Sequence, residues 1–375
     1  MKIIDVDVIW LRVPELFDEC EWGEDAVIIK ITTDIGIVGY GETDSSPLVV
    51  KSIIETPSSH STCRGLKEIL IGKNPLEISK LWDKMFTESE YMGRRGAGIH
   101  AISAIDIALW DIAGQYYQVP VHMLLGGKYR DKINAYGTFI PSDNVDDSCK
   151  KALSLVEQGF KSIKLGGNGF GIDASKDYDT LKCIREAVGQ HIDIAIDLVG
   201  LWHNFSYAQS RYKMLEEFNI NWIEEPVPSD RLKCYRRLSD SLPVKITGGE
   251  ALTSYAEFKQ FIEDANPAIV QPDITRCGGI TEIKKINFLA EENGINLVPH
   301  GFSTGILLHA TIHFLASTRF GNLIEYSQSD SPIYNELVKN KVPVINGQVE
   351  VPDIPGLGLI LNEDFIKEYR VTNPN

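Results

Sequence analysis

Cysteine is scarce in this sequence, and the cysteines that are present are scattered. The chain of 375 residues contains six, none of them in a CxxC arrangement: Cys20, Cys63, Cys149, Cys183, Cys234 and Cys277. Thiolate metal sites and disulfide frameworks both depend on close or regular cysteine spacing. The pattern therefore indicates reduced thiols in a cytoplasmic protein and argues against a zinc site built from cysteines.

Basic clusters are lacking as well. The chain has 37 Lys and Arg against 52 Asp and Glu, and its formal net charge is −15. Because nucleic acids and anionic membranes attract proteins through basic patches, we expect neither as a partner. Read along the sequence, no apolar stretch reaches the ~18 residues of a membrane span. The start of the chain, MKIIDVDVIW, predicts a strand rather than a secretion signal.

Apolar residues are plentiful, at 43% of the chain, and their spacing divides it into two patterns. Over residues 1–125, two strand-like stretches, IIDVDVIWLRV and AVIIKITTDIGIVGYGE, precede a helical one, AISAIDIALWDIAGQYY. This predicts an α+β N-terminal domain. Residues 351–375 are loop-like, and we expect them to return to that domain and complete it.

Residues 126–350 show the second pattern, in which strand-type runs alternate with helical stretches. Eight such runs follow one another: INAYGTF, KSIKLG, DIAIDLV, INWIEEP, VKITGGE, AIVQPDI, INLVPHG and LIEYS. This alternation predicts an α/β fold, a parallel (β/α)8 barrel of the TIM type.

Seven of the eight runs carry an ionisable residue at or near their C-terminal end, where the chemistry of such barrels lies. Their order along the chain is Lys164, Asp197, Glu224, Glu250, Asp273, His300 and Glu325. Successive gaps are 33, 27, 26, 23, 27 and 25 residues, about one strand–helix unit each. Seven ionisable residues at equivalent positions of successive strands predict a common site.

Three carboxylates in this series, Asp197, Glu224 and Glu250, stand on adjacent predicted strands. Like charges brought together in a buried site raise one another's pKa values unless a cation neutralises them. An all-oxygen set of ligands suits a hard cation. The sequence therefore predicts a site for Mg²⁺, with Mn²⁺ as the second choice.

The run NINWIEEPVPS has two adjacent acids, and strand alternation distinguishes them. Trp222 and Glu224 share one face of the strand, and Ile223 and Glu225 share the other. If Ile223 packs toward the helices, Glu224 points into the barrel. Glu225 is then a supporting acid, paired with a lysine such as Lys161.

Asp273 and His300 lie at the ends of neighbouring predicted strands. A carboxylate beside an imidazole orients the ring, fixes its tautomer and raises its basicity. We therefore predict His300 as a general base held by Asp273.

These motifs make the chain resemble the enolase superfamily, and within it the mandelate racemase branch of the mandelate racemase/muconate lactonizing enzyme family. The resemblance covers nearly the whole chain. AISAIDIALWDIAGQYYQVPVHMLLGG, residues 101–127, is similar to the family's first signature. IAID, WIEEP and GGE match its metal trio, and QPDITRCGG with VPHG match its Asp–His dyad.

The resemblance implies a reaction and a role for each motif. Sites of this superfamily use a Lys or His base and Mg²⁺ to remove a proton α to a carboxylate. The resemblance therefore implies that the substrate is a small-molecule carboxylate. Lys164 would lie at the carboxylate, and Glu325 would hydrogen-bond an enolate oxygen.

The resemblance also implies the architecture around the site. The barrel would be of the modified (β/α)7β form, with the N-terminal domain as a capping domain whose loops select the substrate. The loop residues concerned would be Glu21, Trp22, Gly23, Ser45, Ser46 and Pro47. Relatives tend to form dimers and octamers, so we expect a homo-oligomer.

Two positions depart from the family pattern. The second strand often reads Lys-x-Lys, with the second lysine a base, but here Gly166 stands at that position. The third strand often reads Asp-x-Asn, but here Val199 replaces the asparagine. His203 could supply the lost polar contact, or it could be an ordinary loop residue.

The missing lysine bears on the reaction. Racemisation normally uses two bases on opposite faces of the substrate, whereas β-elimination of water needs one base and one acid. His300 could serve as both, with Lys164, Tyr136 or His203 as other candidates for the acid. The sequence therefore favours a Mg²⁺-dependent acid-sugar dehydratase that gives a 2-keto-3-deoxy product.

Other functions stay open. A cycloisomerase of a sugar-acid lactone needs only one base. A racemase or epimerase of a 2-hydroxy acid would need a second base, such as Tyr136 or Lys161. Muconate cycloisomerases and dipeptide epimerases place a lysine on strand six, where this chain has Asp273. A non-catalytic barrel is the weakest alternative, because buried charges that have lost their use are costly.

Overall fold

The computed structural model of the protein describes residues 1–13 and 23–372. The N-terminal domain begins with a three-stranded antiparallel sheet in the order β1-β2-β3. Its strands are β1 (Ile3–Arg12), β2 (Asp25–Thr33) and β3 (Val38–Thr43). Five helices follow: α1 (Pro47–Glu55), α2 (Leu66–Leu70), α3 (Ile78–Glu88), α4 (Ala97–Tyr117) and α5 (Val121–Leu124). The helices bury one face of the sheet in a common core.

The helix α4 is the core helix of this domain, and it begins four residues before the predicted stretch. Its length and hydropathy alone would allow it to cross a membrane, but 83% of the apolar window is buried inside the protein. Such burial is typical of a core helix. The helix lies directly on β3, where a Cβ at Gly41 would come 1.9 Å from the carbonyl oxygen of Ala104.

The second domain is a parallel barrel in which sequence neighbours pair. The strand order is β11-β4-β5-β6-β7-β8-β9-β10, and all these pairs are parallel. The strands are β4 (Lys132–Phe139), β5 (Ser162–Gly166), β6 (Asp193–Asp197), β7 (Ile220–Glu224), β8 (Lys245–Gly248), β9 (Ile269–Val270), β10 (Asn296–Leu297) and β11 (Leu323–Ser327). Seven of them lie within their predicted runs and β4 begins one residue earlier, at Lys132, although β9 and β10 are only two residues long.

Seven helices connect the eight strands, so the barrel has the (β/α)7β form. They are α6 (Val145–Glu157), α7 (Ala174–Val188), α8 (Phe205–Leu215), α9 (Leu232–Ser241), α10 (Ser254–Ala265), α11 (Gly279–Glu292) and α12 (Gly305–Ala316). A single 3-10 turn, Glu216–Phe218, follows α8. The fold expected from the resemblance, a barrel with an N-terminal β-rich cap, is confirmed.

Strand alternation places side chains as the sequence predicts. Trp222 belongs to a small cluster inside the barrel with Tyr136, whereas Ile223 belongs to the large core between strands and helices. Glu224 therefore points inward with Trp222. Glu225 points the other way, but its predicted pairing with Lys161 is wrong. Its carboxylate instead accepts hydrogen bonds from the Gly249 amide and the Ser229 hydroxyl.

The C-terminal part of the chain contacts both domains. The elements after the barrel strands are α13 (Pro332–Glu336), β12 (Val344–Ile345), β13 (Gln348–Glu350) and α14 (Glu363–Tyr369). The hairpin β12-β13 adds antiparallel to β4; it lies within residues 126–350, for which only the eight barrel strands were predicted. Beyond α14, the Val371 amide donates to the carbonyl of Trp10 in β1. The predicted domain boundaries themselves stay a prediction.

Candidate active site

The ionisable residues of the predicted strand ends meet at one end of the barrel. Asp197 and Glu224 close β6 and β7, and three others lie two or three residues beyond β8, β9 and β10. None of the seven is more than 8% exposed: Lys164, Asp197, Glu224, Glu250, Asp273, His300 and Glu325. Tertiary structure therefore brings all seven into one buried cluster.

The three predicted metal ligands are close enough to share one ion. Asp197, Glu224 and Glu250 each offer a carboxylate oxygen, and these oxygens all lie within 4.8 Å of one another. Mg²⁺ binds oxygen at about 2.1 Å, so oxygens on opposite sides of one ion lie about 4.2 Å apart. The donor set fits Mg²⁺ or Mn²⁺ in both chemistry and spacing.

The electrostatics of the trio also fit a cation. Burial raises the pKa of Glu224 to about 8, although Lys164 acts in the opposite direction. Burial likewise raises the pKa of Glu250, and Asp197 adds to the effect. A divalent cation among the three carboxylates would favour their ionised forms.

Lys164 lies between the metal trio and the acid of β11. Its Nζ is 2.6 Å from Glu224 Oε1, 3.0 Å from Glu325 Oε1 and 3.3 Å from Asp197 Oδ2. Burial alone would lower the pKa of Lys164, but Glu224 and Glu325 outweigh it and raise the pKa well above the ordinary value. The ammonium therefore stays charged.

Asp273 and His300 form the predicted dyad. His300 Nδ1 lies 2.7 Å from Asp273 Oδ2, and the other Asp273 oxygen accepts from the amide and hydroxyl of Thr275. With Nδ1 donating to Asp273, Nε2 is the basic atom of His300. Burial lowers the pKa of His300, but Glu250, whose Oε2 lies 3.4 Å from Nε2, and Asp273 outweigh burial and raise it to about 10. A cation bound at Glu250 would oppose that rise and leave Nε2 able to accept a proton.

Glu325 is fixed as a carboxylate. The amide of Gly301 donates to its Oε2 at 2.9 Å, and Lys164 holds its Oε1. Burial would raise the pKa of Glu325, but Lys164 and His300 outweigh it and lower the pKa. Glu325 can therefore donate a hydrogen bond to a substrate oxygen only after it has taken up a proton.

Gly166 shows why a second lysine is missing. A Cβ there would lie 2.4 Å from the carbonyl oxygen of Asp197 and 2.5 Å from its Cβ, closer than any side chain tolerates. A residue larger than glycine would displace a predicted metal ligand. Among the described residues that line the cavity, His300 is the one imidazole and Lys164 the one amine.

The cavity at this candidate active site, called the catalytic cavity below, is bounded by these charged groups and by an apolar wall. It is lined by Thr138, Ile140, Lys164, Gly166, Gly167, Asp197, Val199, Glu250, His300, Phe302 and Glu325. Val199 adopts φ 46, a left-handed conformation that is strained for a β-branched residue. Its amide donates to Asp197 Oδ1, so the strained turn supports the carboxylate.

Several other predicted residues are not part of the cavity's described lining, although Tyr136 adjoins it, with Lys164 Nζ 5.9 Å from its ring centroid. Tyr136 is fully buried inside the barrel, where burial raises its pKa well above the ordinary value. His203 is exposed, and its ring is tilted by 36° against that of Tyr207 at a centroid distance of 5.1 Å. Ser45 contacts His100 through its hydroxyl, at 2.9 Å. Glu21 and Trp22 lie outside the described residues.

Sequence reasoning missed Arg276, which ties the capping domain to the site. Its guanidinium pairs with Asp44 of the capping domain and lies 3.6 Å from Glu250 Oε1. Three residues after Asp273, it stands in the matched motif QPDITRCGG. That position was the available signal, but a motif does not show which acids a basic residue meets.

Comparison with known families matches both parts of the chain. Residues 147–365 match the family described as enolase C-terminal domain-like. Residues 22–126 match the mandelate racemase / muconate lactonizing enzyme N-terminal domain. The first match alone spans more than half of the chain.

Curated relatives align along nearly the full length. D-galactarolactone cycloisomerase of Agrobacterium fabrum is 31% identical over 364 residues, which cover 93% of this chain and 92% of the relative. Arabinonate dehydratase of Saccharolobus solfataricus is 32% identical over 353 residues, which cover 92% of this chain and 90% of the relative.

Solved structures show the same architecture. The 3,6-anhydro-D-galactonate cycloisomerase from Zobellia galactanivorans superposes with a TM-score of 0.90 at 31% identity, covering 99% of this chain and 100% of that one. A racemase from Streptomyces coelicolor with bound magnesium has a TM-score of 0.87 at 26% identity, covering 98% and 100%. The chain therefore belongs to the mandelate racemase/muconate lactonizing enzyme family of the enolase superfamily.

Proposed function

We propose that the protein is a Mg²⁺-dependent acid-sugar dehydratase. It would remove the proton α to a carboxylate and eliminate water from the neighbouring carbon, giving a 2-keto-3-deoxy acid. The curated relative named arabinonate dehydratase supports this reaction. The buried trio and the magnesium in the structure of a related racemase support the metal.

The position of each charged residue suggests its role in the reaction. Asp197, Glu224 and Glu250 would hold the divalent cation, which when bound supplies positive charge at the substrate carboxylate. Lys164 supplies a second positive charge, because its ammonium is fixed between Glu224 and Glu325. Charge develops at the carboxylate oxygens as the α-proton leaves, so these preorganised charges favour the enolate.

His300 moves the protons. Its Nε2 accepts the α-proton, and the C–H electron pair forms the enolate while Asp273 holds Nδ1. The imidazolium then returns that proton to the hydroxyl on the β-carbon. The carbon–oxygen bond breaks, water leaves, and the enol product tautomerises to the 2-keto acid. One residue suffices when both transfers occur on the same face of the substrate.

The observation that carries the proposal is the single base. His300 is the one imidazole in the described lining of the cavity, and Gly166, at the position of the family's second lysine, has no room even for a Cβ. Two-base racemisation therefore lacks its second base among the described residues that line the cavity. Elimination of water needs only one base.

The test is a screen of acid sugars with Mg²⁺, in which 2-keto products are detected with semicarbazide. With an active substrate, His300→Asn should lower kcat by roughly 10²–10⁴-fold, the range for loss of a general acid–base group. His203→Asn, at an exposed histidine outside the cavity, should retain turnover. Unchanged turnover in His300→Asn would remove this residue from the mechanism.

A cycloisomerase of a sugar-acid lactone is the second candidate. It also needs one base, and two relatives, one curated and one of known structure, carry the name cycloisomerase. Incubation of candidate lactones in D₂O distinguishes the two reactions. Isomerisation would give a product without semicarbazone formation, whereas dehydration gives a 2-keto acid.

We also propose that the protein works in the cytoplasm as a homo-oligomer on a small carboxylate. The free state of the five described cysteines is compatible with a reducing compartment. Size-exclusion chromatography with light scattering would test the oligomeric state.

A further inference from the structure

The catalytic cavity is too small to hold a whole sugar acid. Its volume is about 50 Å³, which is room for a few water molecules. A carboxylate and its α-carbon can occupy that space beside Lys164 and His300. The remaining carbons of a sugar acid must therefore lie outside it.

A larger space adjoins it, which we call the outer chamber. It has a volume of about 610 Å³ and shares Ile140 and Phe302 with the catalytic cavity. The other residues that line it are Phe139, Pro141, Ser142, Asp143, Asp147, Ser148, Lys151, Asn168, Gln328, Ser329, Asp330 and Ser331. These come from the loops after β4, β5, β10 and β11 and from the start of α6, so the chamber lies at the catalytic end of the barrel.

Gln328 is a polar residue in the described lining of the outer chamber whose whole carboxamide is free to bind a ligand. It is half-buried, and its amide hydrogen-bonds to the carbonyl of Thr138, which fixes the backbone. Within residues 1–13 and 23–372, its side-chain carboxamide has no hydrogen-bond partner. A carboxamide both donates and accepts, which suits a hydroxyl group.

The charges around the outer chamber are already paired. Lys151, the one basic residue in its lining, lies 3.5 Å from Asp330. Asp147 is 2.9 Å from the ammonium of Lys150, and Asp143 is paired with Lys176. Recognition of a second carboxylate would require a free lysine or arginine. In the described lining only Lys151 could serve, and a second carboxylate would have to compete there with Asp330.

Residues 14–22 read PELFDECEW, with four acids and no lysine or arginine. Gly23, directly after this segment, accepts a hydrogen bond from Ser331 of the chamber. Residues 14–22 lie outside the described residues, and their sequence contains no lysine or arginine that could pair with a second carboxylate.

We propose that the outer chamber is the subsite for the distal end of the substrate, and that it takes an uncharged, hydroxylated chain. The substrate is then a sugar acid with one carboxylate, an aldonate, rather than the corresponding aldarate with two. This inference rests on the proposed function for the placement of the first carboxylate in the catalytic cavity. Gln328 acts as a specificity determinant through its hydrogen bonds to hydroxyl groups.

The test compares aldonates with aldarates of the same configuration, by turnover and by ligand-induced thermal stabilisation with Mg²⁺ present. The wild type should use and be stabilised by aldonates at least tenfold better in kcat/KM or apparent Kd. Gln328→Leu should raise KM for an aldonate about tenfold with little change in kcat, because one or two hydrogen bonds are lost.

A second variant adds the charge that the outer chamber lacks. Gln328→Arg should improve use of the aldarate by about tenfold or more, because a charge-assisted hydrogen bond to its distal carboxylate becomes available. Gln209→Arg, at an exposed position of α8, is the matched control and should leave the preference unchanged.

The outcomes separate the two proposals. Equal or better use of aldarates by the wild type would overturn the aldonate subsite and leave the dehydratase standing. An unaltered KM in Gln328→Leu would remove Gln328 from the subsite. If no acid sugar gives a 2-keto acid, the proposed function fails, and thermal stabilisation by aldonates over aldarates still decides the subsite.

Discussion

Lys164 is the residue on which the charges of the site converge. It contacts one carboxylate of β6, one of β7 and one of β11, each within 3.3 Å. Buried charges of this kind are stable only when they are mutually paired. Removal of any one of these carboxylates therefore changes the protonation of Lys164 and of the remaining carboxylates. The affinity for Mg²⁺ reports this change most directly.

Glu224→Gln should abolish the stabilisation of the protein by Mg²⁺. A ligand that binds only the native state raises stability by about 2.7 kcal/mol at 100 times its Kd, so the wild type should melt at a higher temperature with Mg²⁺ than with a chelator. The variant loses one charge of the trio. The measurement is the increment in Tm on addition of Mg²⁺.

Glu225→Gln is the matched control for this prediction. It removes a neighbouring buried acid that points away from the trio, to the Gly249 amide. Its absolute Tm can change, but the increment with Mg²⁺ should persist. An increment of full size in Glu224→Gln would show that the trio does not hold the ion.

Gly166→Ala should weaken Mg²⁺ binding by roughly 10–100-fold, the usual effect of disturbing the support of a metal ligand. The new Cβ would meet Asp197, at 2.4 Å from its carbonyl oxygen. Calorimetric titration with Mg²⁺ measures the effect. At Gly167 the nearest atoms, those of Ile140, are 3.8 Å from an added Cβ, but φ is +80. Gly167→Ala is therefore a control that strains the backbone without touching Asp197: its Tm can fall, but its affinity for Mg²⁺ should persist.

The same contact changes the expectation for Gly166→Lys. From sequence, a lysine restored there could act as the second base of the family pattern. In the structure it would displace Asp197 before its amine reached the substrate. Deuterium exchange into the opposite face of a 2-hydroxy acid by this variant would contradict that conclusion.

At the scale of elements, buried carboxylates join the capping domain to the barrel. In α4, Asp106 accepts hydrogen bonds from the amide and hydroxyl of Thr281 in α11. Glu42 in β3 accepts from the amides of Thr304 and Leu307, at the start of α12. An acid at a helix N-terminus satisfies free amides and interacts favourably with the helix dipole. The strand thus caps a helix of the other domain.

Glu42→Gln should destabilise the protein by about 1–3 kcal/mol, because the amide group places donors against the donors of α12. The change should appear as a lower urea midpoint. Glu292→Gln, at an exposed glutamate of α11, is the control and should unfold like the wild type. An unchanged midpoint in Glu42→Gln would mean that this contact contributes little to stability.

At the scale of the whole molecule, three buried histidines join the two domains and the C-terminal part. His122 of α5 stacks on His313 of α12 at 5.4 Å, and His309 and His313 both contact the carbonyl of Leu357. His122 also lies 3.2 Å from Asp353, which pairs with Lys128. Burial, together with His122 and His309, lowers the pKa of His313 to about 3.

This cluster should make stability fall as the pH is lowered. Below about pH 6.5, His313 is protonated in the unfolded state. In the folded state it stays neutral until the pH falls to about 3. Stability from this histidine is therefore present above pH 6.5 and is lost toward pH 3, at about 1.4 kcal/mol per pH unit. His313→Gln should flatten the pH dependence of unfolding by this amount. The exposed His191→Gln should not, and equal slopes in both variants would contradict the prediction.

The sequence alone determined the fold class and most of the catalytic cluster. Barrel strands are short and separated by helices of regular length, so their ends recur at intervals of one unit, and ionisable residues at those ends must meet. Alternation within a strand also separated Glu224 from Glu225 correctly. These results follow from local periodicity, which can be recognised from neighbouring residues in the sequence.

Contacts between distant segments were decided only by the tertiary structure. The partners of Arg276 and Glu225, the burial of Tyr136, the steric exclusion at Gly166 and the outer chamber each depend on atoms far apart in the chain. Periodicity indicates which face a side chain occupies, but not which atom lies opposite it. Distances and cavities arise from packing, and packing is a property of the folded chain as a whole.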